Sequence, residues 1–225
     1  MKKLFLGTSI LVMSLFISAQ TTHAEVKSKA ESKSEVKTVP GDATEPIVPK
    51  DPTDPDKPNP DPDKPGTGNT GPLTIDHVPS IEFGEQEIKE KEATYNAKTE
   101  HPYVQVSDRR ATGAGWNLKV SIDEFKNGDQ KQTLKGAELL LKNGEIKTTS
   151  GNVSEKPQGS NVTLNKDLQV IMQAQTDQGM GTWLDVFSGK KDDNPNVQLK
   201  VPAGSARAKQ GYSSIIHWEL SDAPA

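Results

Sequence analysis

Cysteine is absent from the 225 residues, so the chain can use neither a disulfide nor a thiol nucleophile. Aromatic residues make up only 5% and hydrophobic residues 32%, enough for one modest core with a polar extension. Positive charge is not in excess either. The formal net charge is −4, and a chain without a basic surface argues against nucleic acid as a partner. Histidine is scarce: beyond residue 24 only His77, His101 and His217 remain. None belongs to H-E-x-x-H, and no serine lies in G-x-S-x-G. Acidic residues are plentiful, but the sequence singles out no acid and no nucleophile among them. The chain is read as not an enzyme, with no cofactor and no metal.

Anchoring signals are missing as well. The last residues, SDAPA at 221–225, contain no LPxTG signal and no apolar or basic tail, and no lipobox cysteine lies near the start. Covalent sorting and lipid anchoring are therefore not expected. The apolar run at 4–17, behind Met1, Lys2 and Lys3, is shorter than the ~20 residues a membrane span requires. With Thr22-His23-Ala24 as a small-residue cleavage site, residues 1–24 read as a secretory signal peptide and no stable membrane anchor is expected.

Residues 25–71 read as a linker. EVKSKAESKSEVKTV, at 25–39, is charged and aperiodic and is expected to be disordered. PGDATEPIVPKDPTDPDKPNPDPDKP, at 40–65, blocks helix and ladder alike. It is expected to form a stiff, polyproline-like spacer reaching roughly 80 Å at ~3.1 Å per residue. Its prolines also remove the sharp loop that a calcium site would need from the aspartates. Gly66 to Gly71 spell G-x-G-x-x-G, but no strand precedes them and Pro72 comes next, so they read as a hinge. Removal of 25–71 is expected to leave the rest of the chain equally stable.

From residue 72 onward the pattern is that of strands. Ile81 and Phe83, Val104 and Val106, then Trp116, Leu118, Val120 and Ile122 alternate with polar neighbours. Ala137, Leu139 and Leu141 do so between Gly136 and the Asn143-Gly144 turn signal. Leu168, Val170, Met172 and Ala174 repeat the pattern, and TWLDVF at 182–187 and VQLKV at 197–201 lead to a last strand. There Tyr212, Ser214, Ile216, Trp218 and Leu220 share a face. Short strands separated by Gly, Asn and Asp clusters, with no amphipathic helix, predict an all-β domain at 72–225. A β-sandwich is expected, with immunoglobulin-like topology one choice within that class.

Trp116 and Trp218 could be stacking platforms for a ligand or pieces of the core, and their regular alternation favours the core. Trp183, in the glycine-rich QGMGTW, is less regularly patterned and is the better candidate for exposure. Asp108, Arg109 and Arg110 could contact a partner or a polymer. The alternative, an Asp–Arg pair or an Asx turn that fixes the loop, is favoured. The N-x-S/T triplets at 152 and 161 read as loop composition.

Two ordered Trp-x-Leu motifs, Trp116-Asn117-Leu118 and Trp218-Glu219-Leu220, carry a resemblance. Their surroundings are VPSIEFG at 78–84, VSDRRATGAGW at 106–116, LKVPAG at 199–204 and a distal Y-x-x-x-I-x-W-x-L-x-x-x-P that begins at Tyr212. In these contexts the chain from 72 to 225 resembles the WxL-domain surface proteins of Gram-positive bacteria. That resemblance implies a secreted, cell-surface protein held non-covalently on cell-wall peptidoglycan. It also implies complexes with WxL-interacting proteins and other WxL proteins, and hence a second expectation: a structural subunit or adhesin held by such a partner.

Overall fold

The structure, a computed structural model, describes residues 28–61 and 65–222. The signal-peptide assignment at 1–24 lies outside the described residues. The chain divides into two compact units, residues 1–38 and 39–225. Within the first, residues 28–38 are exposed and have no regular secondary structure.

The second unit is all-β, with no helix among the described residues. One sheet has the order β1-β3-β11-β7: β1 (Leu73–His77), β3 (Tyr103–Asp108), β11 (Gly181–Val186) and β7 (Glu145–Thr148). A second has the order β14-β4-β10-β8: β14 (Ile216–Ser221), β4 (Trp116–Ile122), β10 (Gln169–Ala174) and β8 (Gln158–Gly159). A third has the order β2-β12-β6-β9: β2 (Ala93–Ala97), β12 (Asn194–Val201), β6 (Glu138–Leu141) and β9 (Val162–Leu164). A short pair joins β5 (Lys126–Asn127) to β13 (Tyr212–Ser213). Every ladder is antiparallel. The three larger sheets close on one core, to which Val104, Val106 and Trp183 come from the first sheet. Trp116, Leu118 and Met172 come from the second, and Leu139, Leu141 and Val197 from the third.

Most of the strands read from alternation are present, and the exceptions have local causes. Residues 80–83 join no ladder. Lys98 N–H donates to the Glu82 carbonyl at 2.7 Å, and Glu82 N–H donates to Thr99 Oγ1 at 3.2 Å. Ile81 and Phe83 still turn toward the core, half-buried, between exposed neighbours. In β10 a bulge between Val170 and Met172 shifts the phase, so Ile171 and Met172 are both buried while Leu168 is exposed. Asn143-Gly144 comes after a strand as expected but forms no hairpin: β6 pairs with β12 and β9, whereas β7 pairs with β11.

The stand-off spacer is corrected. Residues 49–59 fold back on themselves, with Asn59 N–H donating to the Pro49 carbonyl at 2.8 Å. The DPTD sequence makes the turn, for Asp51 Oδ1 accepts from both the N–H and the hydroxyl of Thr53 at 2.7 Å. The base of this loop sits on β3. Lys50 N–H donates to Gln105 Oε1 at 2.7 Å and Asn59 Nδ2 to the Tyr103 hydroxyl at 3.0 Å. Its tip reaches β7, where Lys147 Nζ donates to the Pro52 carbonyl at 3.0 Å, and Ser150 N–H donates to Asp56 Oδ1 at 2.7 Å. The loop therefore crosses β11, whose Leu184 and Val186 form a small buried cluster with Tyr103. The supposed hinge is tied down too: Thr67 N–H donates to the Asp76 carbonyl and Gly71 N–H to the Ala43 carbonyl, each at 2.8 Å. Inside the loop at 49–59, Asp51 N–H donates to the Lys57 carbonyl at 3.0 Å and Lys57 N–H to the Asp54 carbonyl at 2.9 Å, so its backbone is bonded inward as well as to the sheet. Pro49 and Pro52 are themselves buried.

This packing reverses the expected effect of truncation. A chain beginning at residue 39 should unfold at the same midpoint as the longer one. A chain beginning at residue 65 uncovers Tyr103, Leu184 and Val186 and should lose on the order of 3 kcal/mol. Urea unfolding of both chains decides it, and equal midpoints would mean the loop contributes nothing.

Candidate functional site

β4 and β14 are neighbours, with Leu220 opposite Leu118, Trp218 opposite Val120 and Ile216 opposite Ile122. Directly opposed residues share a face, so the two Trp-x-Leu motifs lie side by side on one side of one sheet. On the other flank of β4, β10 sets Met172 opposite Leu118 and Ala174 opposite Trp116. Being central, β4 buries Trp116 and Leu118 completely.

The loop before β11 holds two indoles at once. Trp116 Nε1 donates to the Gly179 carbonyl at 3.0 Å, and Trp183 Nε1 to the Met180 carbonyl at 2.9 Å. Gly179 has φ +70°, and a Cβ there would come within 2.7 Å of Trp116 Nε1. Only glycine fits that approach. Trp183 is thus a core residue, 3% exposed, and its expected exposure is corrected. Its strand hid this, because Leu184 and Val186 on the opposite face are covered as well and Asp185 interrupts the apolar face.

β14 is an edge strand. Ile216, Trp218 and Leu220 are half-buried against the core, while His217, Glu219 and Ser221 are exposed. Trp218 is the one tryptophan whose indole N–H has no hydrogen-bond partner among the described residues. Tyr212 lies apart from the motif face. It packs on a separate cluster of Leu134, Leu199 and Val201, and its hydroxyl accepts from Arg207 N–H at 3.1 Å.

In the charged loop Asp108 and Arg110 pair with each other. Asp108 Oδ1 accepts from Arg110 N–H and Nε, each at 3.0 Å, and Oδ2 from Arg110 Nη2 at 2.8 Å. Arg110 Nη2 also donates to the carbonyl of Gly115, the residue before Trp116, at 2.7 Å. This is an Asx turn and an Asp–Arg fork together. Arg109 gathers the N-terminal segment, donating to the carbonyls of Gly71 at 2.8 Å and Glu45 at 3.1 Å.

The family profile described as WxL domain, surface cell wall-binding, matches residues 24–224. The chain belongs to the WxL family. No curated protein and no solved structure matches it. The matched span takes in the loop at 49–59 as well as both motifs of the WxL domain.

Two further features of this WxL domain left no mark in the sequence pattern. A polar groove opens where β14 begins, lined by Asp123, Glu124, Lys126, Gln130, Lys166, Ser213, Ser214 and Ile215. His217 Nε2 lies 3.2 Å from Asp123 Oδ2, and Lys166 Nζ lies 3.7 Å from Glu124 Oε2. The second feature is acidic and buried. Asp76 accepts from Thr74, Gln105 and Ser107, while burial raises the pKa of its carboxyl. Among the described residues Asp185 has no hydrogen-bond partner for either oxygen, and burial pushes its carboxyl up to about 7. No group of acidic and histidine residues among those described could hold a metal ion, and no described helix is long and apolar enough to cross a membrane.

Proposed function

We propose that this chain is exported and held non-covalently on peptidoglycan by its WxL domain, as a binding module and not an enzyme. The observation that carries the reading is membership of a surface cell wall-binding family over residues 24–224. The structure supports it by narrowing the contact surface. Trp116, Leu118 and Trp183 are core, and Asp108 and Arg109 are occupied within the chain. The groove at the start of β14 is left, with Lys126 and Lys166 facing Asp123, Glu124 and two serines. Its mixed charges and hydroxyls match a glycan that bears peptide stems with free amines and carboxylates. Trp218 and Leu220 flank the next stretch of the same strand.

A second reading is favoured by the open edge of β14. A strand edge is a pairing template for another polypeptide. A WxL-interacting protein or another WxL protein would then hold this chain as a subunit or adhesin of a surface complex. Purified wall sacculi separate the two readings. The first expects the chain to sediment with sacculi unaided and to be released by a chaotrope. Lys126→Glu combined with Lys166→Glu should reduce that binding several-fold at unchanged unfolding midpoint. Sedimentation only after a WxL-interacting protein is added would favour the second reading. Release only on digestion of the peptidoglycan would overturn non-covalent attachment.

A further inference from the structure

The backbone of β14 has a free side. Asp123 N–H donates to the Ile215 carbonyl at 3.0 Å, which turns residue 215 toward the β4 side. Alternation along an antiparallel strand then directs the backbones of His217 and Glu219 to β4. Those of Ile216, Trp218 and Leu220 point away from it. Among the described residues no strand pairs on that side, and no hydrogen bond reaches these three residues from it.

The sequence of this edge, Ile216-His217-Trp218-Glu219-Leu220, is close to a chemical palindrome: apolar, basic, aromatic, acidic, apolar. We propose that the edge pairs with β14 of a second copy of this chain, antiparallel and centred on Trp218. In that register Trp218 faces its counterpart, Ile216 faces Leu220, and His217 faces Glu219 on both sides of the two-fold axis. Outward-pointing backbones meet outward-pointing backbones, as an antiparallel ladder requires.

The two neighbouring registers that preserve backbone pairing are worse. Centring on residue 219 sets Glu219 against Glu219, and centring on 217 sets His217 against His217 and leaves Glu219 opposite Ile215. Like charges placed directly opposite are destabilising, whereas opposite charges and apolar pairs stabilise. The interface is self-complementary, as a two-fold contact must be. It would also cover the half-open apolar face at Ile216, Trp218 and Leu220 and close a hazardous edge. His217 and Glu219 are exposed on the isolated chain, and His217, whose Nε2 lies 3.2 Å from Asp123 Oδ2, would turn from that carboxylate to the partner's Glu219. The pairing goes beyond wall binding and does not depend on it, since a monomer could bind the wall equally well.

Sedimentation equilibrium of the full chain, with no wall material present, tests the pairing apart from the wall reading. The unmodified chain is expected to show a monomer–dimer equilibrium. Glu219→Lys alone, measured in buffer acidic enough to protonate His217, should weaken it by roughly tenfold or more, because two cross-strand pairs then set like charges opposite each other. His217→Glu alone should do the same. Mixing the two single variants should restore association as a heterodimer, since each then meets the opposite charge on the other chain. Both variants keep their own folding defects in the mixture, so restoration cannot come from better folding. Amide exchange at Ile216, Trp218 and Leu220 should also slow as concentration rises. A monomer at every concentration would overturn the proposal, even if an extended segment of another protein adds to the same edge. Single variants that associate normally, or a mixture that stays monomeric, would overturn it too.

Discussion

Trp116→Ala is expected to destabilise the domain by about 3–5 kcal/mol, the usual range for removing a fully buried indole. Three losses coincide there. The ring is wholly enclosed, it packs beside Ala174 and Met172 of β10, and its N–H is the partner of the Gly179 carbonyl. Trp218→Ala should cost distinctly less, because that ring is half-exposed on an edge strand and its N–H is bonded to no described residue. The two Trp-x-Leu motifs are alike as sequence, and position in the sheet separates them. Denaturant unfolding and sacculus binding, measured on the same samples, give the check. Wall binding by the Trp116 variant should fall only in proportion to the unfolded fraction. A folded Trp218 variant that no longer binds the wall would make Trp218 a contact residue. Equal loss of stability in both variants would refute the central-versus-edge distinction.

The alternation around Trp116 and Trp218 carried enough information to predict an all-β chain and the shared face of each motif. It could not show that β4 and β14 are adjacent, because pairing of strands about a hundred residues apart leaves no local periodicity. Trp183 was misplaced for a related reason. A strand buried on both faces loses the two-residue rhythm that marks a half-buried one. Here the outer face of β11 is buried beneath the loop at 49–59. The proline and aspartate content of that loop suggests a detached spacer. Composition registers side-chain polarity but not the backbone bonds from Lys50 to Gln105 or from Ser150 to Asp56. The Asx turn at Asp51 was the available signal, since DPTD is turn chemistry and not only proline stiffness. Asp108 and Arg110 were legible because the two partners are two residues apart.

Asp185 had no sequence signal, yet it should dominate the pH dependence of stability. It lies on the core side of β11, between Trp183 and Phe187, and a Cβ on Gly144 would overlap its carboxylate. With no partner for either oxygen among the described residues, ionisation there is opposed by burial, and the carboxyl is pushed up to about 7 from 3.8. The folded chain therefore holds a proton that the unfolded chain has released throughout the interval between about pH 4 and pH 7. A state that binds fewer protons is favoured as pH rises, and in this interval that state is the unfolded one. Stability should consequently fall as pH climbs through the window, by on the order of 4 kcal/mol, and level off above it. Asp76, also raised by burial, slopes the same way, so the test must be a difference. Asp185→Asn keeps the shape and removes the charge. Its unfolding midpoint should vary less between pH 5 and pH 8 than that of the unmodified chain, and should exceed it at pH 8. An asparagine variant with an unchanged slope would show that Asp185 finds a partner for its charge, and that the buried carboxylate is not what sets the pH response.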